Sequence, residues 1–541
     1  MLRRRLSFAV REVDLLSTTI RRAFLAAGLP IVLATAFVSP TEAGSVQGVV
    51  KLGAISIDES GKDLTAMQET YNIYEGFSVS QIKLNGQVGQ RSSFFLDLKE
   101  INQDSGKGLF TYRVQDLAKF TVKYGRHRQL YDADGSVSSE RKDWRVGASV
   151  TPTDWSRVTA DFGHQTRTGD RLGQPTGGNS VLGGNYDYTI INGKVAAEAR
   201  HNSGRSFVVG WDFNAFDDDQ FTAARRRGDV LSARLNGPCL LFPTKVTHFI
   251  RAAYGKQSLE SFRLDQTMSN FQYLGMYKPN RALQFKYRFY AGQIKDDATT
   301  YQTDNIRNDF DAKLYHNYGQ VFGGYGYVTN DDDLRLTENH AWRLGLSLHH
   351  QKLLRFRISY ANSEKTDQEQ RTLLKDIESS RLKVSLKSQL HDNLSVGMTY
   401  ADRRREFPVI DVVADGKRVS VFSRVDANDL GAISLEYSYS EDSYDDRVAG
   451  FDVNNNALTG RIDFNRVKNL NLAAGITYLS ISQDLDIEKT ILMFEGDYTF
   501  ADDYFIEVKY NVYNYDDYLI RDRYYSANVI WLNVGYKIAI N

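Results

Sequence analysis

Apolar and polar side chains alternate with a period of two along most of this chain. From Trp144 to Thr151, the residues Trp144, Val146, Ala148 and Val150 share one parity, and Arg145, Gly147, Ser149 and Thr151 share the other. A Pro152-Thr153-Asp154 turn follows, after which Val158, Ala160 and Phe162 alternate with Arg157, Thr159 and Asp161. Successive side chains of a strand point to opposite faces, so this segment reads as a β-hairpin with one apolar and one polar wall. The pattern returns at 342–348 with Arg343 on the polar parity, at 354–360 with Arg355 and Arg357, and at 381–387 with Lys383 and Lys387. It appears again at 394–400 and at 506–512, where Glu507 and Lys509 take the polar positions. At the end of the chain Ile530, Leu532, Val534, Tyr536 and Ile538 alternate once more.

A soluble sandwich also alternates, with its apolar face turned inward. Three features turn the apolar face outward instead. The alternating segments run about 10–13 residues, well above the ~5–6 of soluble strands. Short turns near 152, 279, 351, 392, 467 and 501 interleave with polar stretches near 169–183, 215–228, 294–306, 329–339, 364–379 and 441–452. Short turns at one end and long loops at the other is the arrangement of outer-membrane barrels. Aromatics also fall where strands are expected to end, at Trp155, Tyr277, Tyr360, Tyr400, Tyr478 and Tyr504, as an interfacial girdle requires. The expected fold is all-β: one large transmembrane antiparallel β-barrel of about 22–26 strands. An even strand number places both termini in the periplasm.

Composition agrees with that reading. The 541 residues include 41 Gly and 32 Tyr but only 8 Pro and one Cys. The 67 basic side chains match 67 acidic ones, which speaks against a nucleic-acid partner, because phosphate binding needs a basic excess. Residues 1–43 carry Arg3, Arg4, Arg5, Arg11, Arg21 and Arg22, then an apolar run from Ala23 to Val38, then small residues at Thr41 and Ala43. A basic region, an apolar run and a small-x-small site make an export signal, leaving 44–541 as the barrel. The alternation begins at Val46, so no N-terminal plug domain is expected. The localisation expected is the outer membrane of a Gram-negative cell, in contact with lipid and lipopolysaccharide.

The polar parity supplies the candidate lumen residues Arg145, Arg157, Arg343, Arg355, Arg357, Lys383, Lys387, Glu507 and Lys509. With Ser and Gly among them, they read as a mixed lining with no ring of one sign, suited to a protein guest. The repeated Trp/Leu-alternating hairpins, such as Asp143–Arg167 and Ala341–Glu364, resemble the MtrB/PioB-type porin-like proteins. That resemblance implies a large plugless barrel sheathing a periplasmic multihaem c-type cytochrome and carrying electrons across the outer membrane. The haem would belong to the partner, since this chain has no CxxCH for covalent attachment. Two other functions fit the residues. One is a general or solute-selective porin whose long loops, especially 404–428, fold into a constriction. The other is a polysaccharide exporter lined by the Arg and Lys positions.

Enzymatic chemistry finds no motif. The nine His include His349-His350 beside a short turn and His127, His164 and His391 near strand ends, but no HExxH. Neighbours on a strand face opposite ways, so His349 and His350 cannot chelate together. There is no GxSxG, and Cys239 reads as a lone structural thiol beside a turn. Asp217-Asp218-Asp219, Asp331-Asp332-Asp333, Arg225-Arg226-Arg227 and Arg403-Arg404-Arg405 read as charged loops.

Overall fold

The structure is a computed structural model. It describes residues 44–62, 70–130, 138–172, 182–218, 225–259, 264–297, 299, 301–332, 335–350, 353–368, 376–427, 430–445, 450–501, 503–519 and 523–540. The export signal expected at 1–43 lies outside the described residues. The rest forms a single 26-stranded antiparallel sheet in which each strand pairs with its neighbours in the chain. The first strand, β1 (Val46–Gly61), pairs with the last, β26 (Tyr524–Ile540), from Val46 opposite Ile540 to Gly61 opposite Tyr525. The sheet is thereby closed, and no strand among the described residues is a free edge strand.

Connections alternate between the two ends of the barrel. The short ones include 154–155, 317–318 and 392–393, and at that same end β1 begins and β26 finishes. All six expected short turns fall there. The longer connections gather at the opposite end, and several of them run outside the described residues. Strands extend from 13 to 19 residues, apart from β3 (Ser92–Lys99) and β4 (Lys107–Val114), which have eight each. Most of them exceed the sequence expectation, and all but β3 and β4 exceed the ~9–11 residues a tilted strand needs to cross a bilayer.

The excess length explains where the sequence reading fails. Leu344, on the outer face of β16 (Arg335–His350), is 57 % exposed, and Trp342 and Leu348 stand beside it. Trp155, Tyr277 and Tyr504 do mark the short-turn end of this apolar band. Tyr360, Tyr400 and Tyr478 do not sit at strand ends. They lie in the middle of β17 (Leu354–Asp367), β19 (Leu394–Phe407) and β23 (Leu470–Gln483). Beyond them the outward positions turn polar, as at Asn362 and Glu364, or Asp402 and Arg404. The strands continue past the apolar band into water, where both faces are polar and the alternation vanishes from the sequence. Hence 404–428, expected as a constriction loop, is the end of β19 and all of β20 (Val412–Asp426), joined through 408–411. Asp217 and Asp218 close β9 (Ser206–Asp218), and Asp331 and Asp332 close β15 (Gly319–Asp332). Arg226 and Arg227 open β10 (Arg226–Pro238), and Arg403 to Arg405 lie inside β19. None of these runs is a loop, apart from Arg225 just before β10, and Asp219 and Asp333 lie outside the described residues.

The short β3 and β4 leave the wall low on one side, and chain segments from that end pack there. Asn102 accepts from the Val79 amide at 2.9 Å and donates to the Phe77 carbonyl at 2.6 Å. Asp104, almost fully buried, takes Arg126 at 3.0 Å and Arg128 at 2.7 Å, both from β5 (Ala118–Leu130). Tyr74 donates to the same carboxylate, and its amide donates to Gln103 at 2.7 Å. Burial, then the Asp104 carboxylate, push the Tyr74 hydroxyl up to about 12.

If the Leu344 face meets lipid, Leu344→Arg costs about 2–4 kcal/mol, the penalty for a cation near the bilayer midplane. Thr459→Arg, on the lumen face opposite Thr477, leaves stability nearly unchanged. Denaturant titration of the barrel folded into vesicles checks the difference.

Candidate functional site in the barrel lumen

Twenty-six strands spaced ~4.8 Å apart and tilted by ~40° give a backbone diameter of about 50 Å. The polar parity of each strand faces this bore, and many of its charges are matched across neighbouring strands. Arg145 pairs with Asp161 at 3.2 Å, and Lys194 with Asp212 at 3.0 Å. Arg157 donates to Ser149 at 2.9 Å. Arg343 reaches Asp311 at 3.0 Å, and Arg288 lies 3.4 Å from Asp309. Arg461 bridges Asp463 at 2.9 Å and Glu495 at 3.0 Å. Glu507 on β25 (Tyr504–Asp517) pairs with Lys51 and, at 3.0 Å, with Lys509.

Like charges also meet across strands, as Arg113 meets Lys119, Lys123 meets Arg145 and Arg234 meets Arg251, and in one sector such cations gather. On the inner face of β17, β18 (Ile377–His391), β19 and β20, basic residues face each other. Arg355 stands directly opposite Lys387, and Arg381 directly opposite Arg403. Of these, Arg403 has an acid, Asp442 at 2.6 Å. Arg355, Arg357, Arg381, Lys383, Lys387 and Arg405 have no acidic partner among the described residues. Two use rings instead: Arg357 lies 5.5 Å from the centroid of Phe322, and Lys387 5.7 Å from that of Phe422. The small residues Ser359, Ser385 and Ala401 separate the cations, so little packs between them. At the long-connection end the field opens on a recess of about 720 Å³ bordered by Arg381, Arg403 and Arg405 together with Asp309, Asp415 and Asp442.

The nine residues singled out from the sequence thus divide. Arg355, Arg357, Lys383 and Lys387 join one field, whereas Arg145, Arg157, Arg343, Glu507 and Lys509 are held in pairs or hydrogen bonds elsewhere on the ring. Arg381 and Arg405 belong with the field but escaped selection. Arg405 was hidden in a triple-Arg run that looks like a loop, although its alternation with Arg404 was the available signal.

A second lumen feature was also missed. Ile55, Tyr513, Tyr525, Ala527 and Val529 form an apolar cluster on the inner face of β1, β25 and β26, and Ala527 and Val529 have no exposed surface. Ile73 covers it, and Tyr71 stacks toward Tyr513 with ring centroids 6.1 Å apart. Segment 70–75 therefore folds inward onto the wall. The signal in the sequence was that Tyr525, Ala527, Val529 and Trp531, on the parity opposite the lipid-facing Ile530, Leu532 and Val534, are apolar too, which one lipid face does not require.

Other polar groups are accounted for locally. His127 bonds Asn72 at 3.2 Å, and His164 stacks on Trp144 at 5.5 Å. Among the described residues no group of three His, Cys, Asp or Glu side chains is placed to hold a metal ion. Cys239 lies in the connection 239–245, where His248 and the amides of Phe242 and Leu241 bond its sulfur and push the thiol down to about 7.

No protein-family model matches the chain, and no curated protein matches it. Among solved structures it is similar to the FrpB iron transporter from Neisseria meningitidis (F3-3 variant), at 9 % identity and a TM-score of 0.52, over 92 % of this chain and 82 % of that one. It is also similar to the siderophore receptor PirA from Pseudomonas aeruginosa, at 10 % identity and a TM-score of 0.48, over 78 % and 81 % of the two chains. The likeness to FrpB is one of fold. Together with the closed sheet and its outward apolar band, it makes this chain a large β-barrel of the outer-membrane type.

Because the thiolate is the nucleophile, alkylation of Cys239 accelerates as pH rises through about 7. In His248→Ala the midpoint moves up toward the ~8.5 of a free thiol. Rates of maleimide labelling between pH 5 and 9 test both statements.

Proposed function

We propose that this barrel is a sheath: it holds a folded periplasmic protein, a multihaem c-type cytochrome, and so scaffolds a path for electrons across the outer membrane. The observation that carries the reading is the ratio of bore to filling. Barrels of 16–18 strands already leave an aqueous channel, and 22-stranded transporters carry a plugged lumen. Here 26 strands surround a wider bore, against which the described chain packs the short segment 70–75. An opening of that width, left empty, would defeat the membrane as a barrier, so a separate guest supplies the filling. The lumen wall suits a protein guest, offering paired charges, an unpaired basic field and small residues on one surface. In this arrangement the short-turn end and both termini face the periplasm, where the guest is loaded. The chain itself insulates and positions, and redox chemistry stays with the guest.

Purification of the tagged protein from its native host in mild detergent, with haem staining and sizing, tests the proposal. The expected result is a haem-stained partner in fixed stoichiometry. A lone barrel with stable single-channel conductance would overturn it in favour of a diffusion porin.

A further inference from the structure

The basic field is costly to fold. Like charges directly opposite on neighbouring strands destabilise a sheet, and here two such pairs occur on one face, Arg355 with Lys387 and Arg381 with Arg403. Elsewhere in the bore some cations meet acids across strands, as Arg145 meets Asp161 and Lys194 meets Asp212, while isolated like pairs such as Arg234 with Arg251 and Arg113 with Lys119 also occur. The chain can therefore neutralise a lumen cation with a neighbouring acid, as it does for Arg403 with Asp442, and leaves Arg355, Arg357, Arg381, Lys383, Lys387 and Arg405 without one among the described residues. A ligand that brings the missing negative charge is the physical counterpart of such an arrangement.

We infer that the inner face of β17–β20 is a docking surface for a carboxylate-rich face of a folded protein, seated in one rotational orientation in the lumen. This deepens the sheath reading and rests on it. The shape of the field selects the occupant. From Arg381 to Lys387 it runs six residues along a strand, about 20 Å, and with Arg418 of β20, opposite Ala401, it spans four strands, about 14 Å across. That is a two-dimensional patch suited to a protein surface, broader than a single polymer thread would cover. Its density supplies the orientation: Arg355, Arg357, Arg381, Lys383, Lys387 and Arg405 crowd adjacent strands without an acidic partner, so a guest with one acidic face gains most when that face meets β17–β20. Phe322 and Phe422 beneath Arg357 and Lys387 hold those cations toward the bore without neutralising them.

The test uses the full barrel folded into vesicles without its guest, with fluorescent poly-L-glutamate as the probe. The wild-type barrel is expected to bind it, with affinity falling as salt is raised. Replacing Arg355, Arg357, Lys383 and Lys387 together by Gln is expected to weaken binding about tenfold or more. Lys194→Gln, outside the field, is expected to leave binding unchanged. If the fourfold variant fails to fold, as judged by heat-modifiable migration, the pair Arg381→Gln and Arg405→Gln gives the same reading from the other end of the field. Equal binding by wild type and folded variants, or no binding by wild type, overturns the inference. Binding of dextran sulfate with none of poly-glutamate overturns it in favour of a sulfated polysaccharide. Absence of a haem partner in the native purification would remove the sheath reading alone, leaving the poly-glutamate result to stand or fall by itself.

Discussion

Backbone hydrogen bonding in a medium without water governs this molecule. Every N–H and C=O in the lipid zone needs a partner within the protein, and for strands the solution is a sheet without edges. The pairing of β1 with β26 over their whole common length supplies it. The other features follow from that closure. It fixes an even ring of antiparallel strands, sorts short and long connections to opposite ends, and dictates that each strand shows one parity to lipid and the other to the bore. It also sets the diameter, because strand number and tilt leave little freedom in the width of a closed sheet.

Width then creates the problem that the lumen wall addresses. A narrow barrel fills its interior with its own side chains, but 26 strands hold their inner faces too far apart to touch. Charged inner residues must find partners along the wall, and many do so with the strand next door. Around Ile55 and Val529 the wall is apolar, and the chain buries it under its own segment 70–75. Over β17–β20 the wall is left cationic. The first patch is satisfied internally and the second is not, and the contrast distinguishes a packing feature from a binding one.

The strands themselves are longer than a bilayer requires, and their outward faces show where the lipid zone stops. Trp155, Tyr277 and Tyr504 lie at one boundary, near the short turns. Tyr360, Tyr400 and Tyr478 lie at the other, halfway along their strands, with polar residues continuing beyond them. A wall that rises past the membrane on one side extends the bore, so a guest would be enclosed over more than the thickness of the lipid.

The class of fold was legible in the sequence because a strand in a membrane wall imposes a local, period-two pattern that no other element shares. The alternation at 144–151, 342–348 and 354–360 placed strands, faces and short turns correctly, and it assigned Arg355, Arg357, Lys383 and Lys387 to the inner face. Where strands leave the lipid, both faces meet water and the pattern ends, so 404–428 and the charged runs looked like loops although they are sheet. Closure at 26 strands, the inward fold of 70–75 and the grouping of charges were decided by the tertiary structure alone. Whether Arg145 finds Asp161, or Arg355 finds Lys387, depends on the register between strands. Register is a relation between segments, set by turn geometry and hydrogen bonding around the whole ring, and the period of a single strand carries no record of it.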